Sequence, residues 1–91
     1  MLSVQTVAKA LHFSPEQLQE ESLRLYLYQQ LRKVETELFR YGKKYGITTI
    51  TELDMKLQEG LLTEEEIHDD FFIIDHLESE RDRLLKFLGA A

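Results

Sequence analysis

The chain contains no cysteine. A disulfide framework, thiolate chemistry and any Cys-based zinc site are therefore excluded, and a reducing compartment, the cytoplasm, is the expected location. Long apolar runs are missing as well: none exceeds four residues, as at Phe71 to Ile74, and the first 13 residues carry one positive charge, Lys9. Neither a membrane span nor a signal peptide is expected from such a pattern. There is no glycine-rich phosphate loop, HExxH motif or Ser/His/Asp set, so catalysis is not expected and no cofactor is implied. Proline occurs once, at Pro15.

At 91 residues the chain is long enough for one domain, which would bury about 60–65% of its unfolded surface and leave a modest core. The net charge of −6 is unevenly spread: residues 1–46 hold seven Lys/Arg against five Asp/Glu, residues 47–91 four against twelve. Two readings follow. A weakly basic helix packs against an acidic one, or the acidic half meets a basic partner, where complementary charge speeds encounter.

The dominant pattern lies between Leu23 and Tyr45. Leu27, Leu31, Val34, Leu38, Tyr41 and Tyr45 recur at alternating spacings of four and three, laying one apolar seam along a helix. Ser14-Pro15-Glu16-Gln17 marks its start, with a capping Ser, proline at N1, and Phe13 and Leu18 as a hydrophobic staple. Gly46 is the expected stop after Lys43 and Lys44, giving a helix over about 15–45 and ~46 Å long. A short helix is predicted over about 4–11, another over about 50–59 between the Thr49/Glu52 cap pair and Gly60, and a second long one over about 64–88. That last helix begins at Thr63/Glu66 with Leu62 and Ile67 as staple. The resulting expectation is all-α: a long antiparallel helical hairpin with a short N-terminal helix, a short helix at the bend and coiled-coil-like packing. At ~37 Å the second long helix leaves part of the first uncovered, near Leu23, Tyr26, Leu27 and Tyr28, and a homodimer contact is expected there.

Glu65 and His68 form one Glu-x-x-His pair, which di-metal helical bundles need twice; an acidic first turn is the simpler reading, and no metal site is predicted. His76 beside Asp75 points about 100° away from it on a helix, unsuited to joint acid–base work. Arg32, Lys33, Arg40, Lys43 and Lys44 are interleaved with Glu35 and Glu37, so nucleic-acid binding is disfavoured. Helix-face ion pairs Glu20–Arg24, Glu78–Arg81, Glu80–Arg83 and Asp82–Lys86 are expected.

The runs Glu20-Glu21-Ser22-Leu23-Arg24-Leu25-Tyr26-Leu27, Leu31-Arg32-Lys33-Val34-Glu35, Lys43-Lys44-Tyr45-Gly46-Ile47 and Asp69-Asp70-Phe71-Phe72 with Leu77-Glu78 resemble small uncharacterised helical proteins of prokaryotes, archaea in particular. Several relatives of those look like the antitoxin halves of toxin–antitoxin gene pairs. The segment before Ser14 is too short for the strand and first helix of a ribbon-helix-helix, so a DNA-binding dimer is not implied. The resemblance implies a protein that neutralises a small basic toxin by laying an acidic, aromatic-bearing helix in its groove. Phe72, Ile73 and His76 would be the anchors, with Asp69, Asp70 and Asp75 around them. Phe72 and Ile73 could equally widen the hairpin core. A purely structural helical homodimer, or a metal-dependent site at a dimer interface, are the alternative expectations.

Overall fold

The computed structural model describes residues 2–89. It is helical, with no strand among the described residues: α1 (Val4–Leu11), α2 (Pro15–Tyr45), α3 (Ile50–Gln58) and α4 (Glu64–Phe87). Each helix starts at a hydroxyl that accepts an otherwise unpaired backbone N–H, Ser3 from Thr6, Ser14 from Gln17, Thr49 from Glu52 and Thr63 from Glu66. Only Thr63 completes a reciprocal box, its own N–H donating to Glu66 Oε2 at 2.8 Å. Glu52 reaches one residue further back, to the N–H and hydroxyl of Thr48 at 2.7 and 2.8 Å, and these two bonds hold its carboxyl below its ordinary pKa.

The close of α2 is a joint. Gly46 turns left-handed at φ 67°, and Ile47 N–H donates to the Gly42 carbonyl at 2.9 Å. The chain folds back so tightly that a Cβ on Gly42 would lie 2.7 Å from the Ile47 carbonyl oxygen. Lys56 of α3 then donates to the Tyr45 and Gly46 carbonyls at 2.7 and 3.3 Å, pairing a cation with the negative end of α2.

The largest core cluster sits at this joint, built from Tyr45, Ile47, Leu53, Ile67 and Ile74 with Leu38, Tyr41, Ile50, Leu57, Leu62 and Phe71 against it. α4 packs on α2 and α3, and α1 on α2. Lys44 and Tyr45 near the end of α2 meet Asp70 near the start of α4, while Leu23 and Leu27 near the start of α2 share a groove with Phe87 and Leu88 at the far end of α4. The molecule measures 61 × 26 × 16 Å with a radius of gyration of 19.0 Å, against ~12 Å for a compact domain of this length. Among the described residues no helix is long and apolar enough to cross a membrane.

Candidate partner-binding face

α4 is two helices in one, seen end on. Its inner edge carries Ile67, Ile74 and Leu84 into the core. Asp70 lies one turn along from Ile67 and therefore turns inward too. Its carboxylate accepts from Lys44 Nζ at 2.7 Å and from the Tyr45 hydroxyl. These donors, Lys44 first and Tyr45 second, hold the Asp70 carboxyl below its ordinary pKa. The Tyr45 phenol is pushed up by burial and then by the carboxylate it donates to, and Lys44 is raised by its bond to Asp70. Asp70 was expected to face a partner; the helical period instead aims it at α2, where its charge is already matched.

The opposite edge is different. Asp69, Phe72, Ile73 and His76 recur at three- and four-residue spacing and all four are exposed, Phe72 by 70%. Asp75 is exposed on the flank. Phe72 stands edge-on to the half-buried Phe71, ring centroids 5.9 Å apart at 84°. Beside it a groove of about 360 Å³ runs between α3 and α4, with Leu57, Ile67 and Phe71 as floor and Asp54, Glu64 and His68 on the rim. From Glu64 to Glu80 α4 contains eight Asp/Glu and no Lys or Arg. An apolar slot with a protruding aromatic ring and carboxylates of one sign around it suits an apolar side chain flanked by cations.

His68 Nδ1 lies 2.8 Å from Asp69 Oδ1, and among the described residues no group of three His, Asp or Glu side chains is placed to hold a metal ion. Of the helix-face pairs, Glu20–Arg24 and Glu80–Arg83 are formed at 3.2 and 3.3 Å, whereas Arg81 turns to Asp82. Glu78 is not on a solvated face at all: half-buried, it accepts the Ile50 N–H at 3.0 Å and so caps α3 from α4.

The expected dimer set divides between two sides of α2. Leu23 and Leu27 turn toward the end of α4, Leu27 being half-buried there, while Tyr26 and Tyr28 point to different sides of the helix and are 58% and 49% exposed. Leu25, 62% exposed, carries no signal in the sequence because it lies off the seam from Leu27 to Tyr45.

Comparison with known proteins gives a family but no fold precedent. The profile of the family described as "Uncharacterized protein MJ0235 family" matches residues 1–90. The Uncharacterized protein MJ0235 of Methanocaldococcus jannaschii is 34% identical over 73 residues, which cover 80% of this chain and 89% of that protein. No solved structure matches.

Proposed function

We propose that this chain, which belongs to the MJ0235 family of uncharacterised proteins, is a non-catalytic protein-binding module whose α4 outer face takes a basic partner. Its scaffold on this reading is one domain, an antiparallel helical hairpin of α2 and α4 with α1 and α3 as braces. The pairing of Tyr45 with Asp70 at one end and of Leu27 with Phe87 at the other supports that direction, since residue numbers rise on one helix as they fall on the other.

The observation that carries the reading is Phe72: a large ring 70% exposed, at the mouth of an apolar groove, on a 17-residue stretch whose only formal charges are negative. Large aromatic groups in such positions are the usual anchors of interfaces, and the surrounding charge selects the partner. Asp69, Ile73, Asp75 and His76 complete the face; Asp70 does not belong to it. The partner of best-fitting chemistry is a small basic protein that inserts an apolar side chain between Phe71 and Leu57. The resemblance to antitoxin-type proteins makes a toxin the proposed identity of that partner, and the site of action the cytoplasm.

Co-expression with the product of the adjacent gene tests this. A stoichiometric complex is expected, with the partner's basic surface covered. If that product is not a small basic protein and nothing forms a complex with the chain, the antitoxin reading fails.

A further inference from the structure

α2 carries a second stripe that stays exposed among the described residues. Glu21, Leu25, Tyr28, Arg32 and Phe39 are all exposed, Leu25 by 62%, Tyr28 by 49% and Phe39 by 65%. At 100° per residue they fall within an arc of about 60°, roughly 130° round the helix from the seam that faces α4. The spacing 21, 25, 28, 32 alternates four, three, four, as a coiled-coil seam does. No residue from Leu25 to Leu31 is charged, and depletion of charge with tyrosine enriched is the compositional mark of an interface core.

We propose that two copies of this chain pair through this stripe, their α2 helices antiparallel about a two-fold axis passing between Tyr26 and Leu27. The stripe residues 21, 25, 28 and 32 are self-complementary about that point. Leu25 of each copy meets Tyr28 of the other, and Glu21 of each meets Arg32 of the other, so one contact patch closes on itself with both charges matched. A foreign partner would have no need of that symmetry. Neither Glu21 nor Arg32 has an ion-pair partner among the described residues, although Arg24 and Glu20 beside them pair within the helix. Further out the same register sets Phe39 opposite the exposed Phe13–Ser14 corner of the second copy.

The surface is large enough to need this. The chain exposes 7229 Å² for a mass of 10.8 kDa, about 1,700 Å² more than the ~5,500 Å² of a compact monomer of that mass. A standard interface covers ~800 Å² per partner. The stripe lies on α2 and the acidic face on α4, so the pair would present two partner-binding faces, and either proposal can fail without the other.

Sedimentation equilibrium on the full chain at high-micromolar concentration is expected to give a dimer, and Leu25→Glu a monomer whose helical circular dichroism is unchanged. Glu21→Arg and Arg32→Glu alone should each weaken dimerisation about tenfold, two mismatched pairs per dimer being lost. The double variant E21R/R32E should recover wild-type affinity. A monomeric wild type, or a dimer indifferent to Leu25→Glu, would overturn the pairing; a double variant no better than the single ones would overturn the register.

Discussion

Asp70, Tyr45 and Lys44 form a cross-helix cluster in which titration and packing meet. Because the Asp70 carboxyl is held below its ordinary value of 3.8, its contribution to stability is complete above that pH and falls away as pH drops through the depressed value. Tyr45 and Lys44 are raised above 10.0 and 10.5, so theirs is complete below those values and is lost as pH climbs through the raised ones. Denaturant midpoints for Asp70→Asn should thus be flatter than wild type below pH 4 and lower by about 1–2 kcal/mol in free energy at neutral pH. A variant with an unchanged acid limb would show that the cluster does not hold the helices together. Gly42 makes a second residue-scale case. Helix propensity alone argues that Gly42→Ala should gain about 1 kcal/mol; the 2.7 Å approach to the Ile47 carbonyl argues for a net loss of about 1–3 kcal/mol. Thermal melting decides, and a raised Tm would mean the joint is looser than described.

At the scale of elements, what could be read from the sequence was whatever depends on neighbours along the chain. Hydroxyl caps at Ser14, Thr49 and Thr63, the left-handed Gly46 and the burial of Leu31 and Tyr45 on one seam are local consequences of helical geometry. What escaped was set by register between helices. Nothing along the chain says that Lys56 caps α2, that Glu78 caps α3, or that Asp70 turns from the acidic face to meet Tyr45. The difference is measurable: Glu78→Ala, which strands the Ile50 N–H, should cost about 1–2 kcal/mol, while Glu80→Ala, which breaks only the surface pair to Arg83, should fall within about 0.5 kcal/mol. Equal effects would mean that Glu78 is an ordinary surface carboxylate. On the outer edge of α4 the expectation reverses. Phe72→Asp loses the edge contact with Phe71 and little else from a ring 70% exposed, so its stability should fall by no more than about 1.5 kcal/mol.

For the whole molecule, the helical class was legible because three of the four periodic segments had a start signal, at Ser14, Thr49 and Thr63. The exposure of the α4 outer face was only half legible, since Phe72 and Ile73 could have been core. Fourteen large hydrophobic residues are exposed among the described residues against seven buried, Ala8 aside, an imbalance that a thin, 61 Å long body cannot avoid alone. The two proposed surfaces, one for a basic partner and one for a second copy, would cover six of the fourteen: Phe13, Leu25, Tyr28, Phe39, Phe72 and Ile73.

The central claim is that the outer face of α4 binds, and calorimetric titration of the adjacent gene's product into wild type and Phe72→Asp is its most direct test. Wild type should bind with an affinity that weakens as salt rises, and Phe72→Asp, equally well folded, should bind at least tenfold more weakly, as expected of an anchor worth more than about 1.4 kcal/mol. Equal binding by the two proteins, or none by wild type, would contradict it.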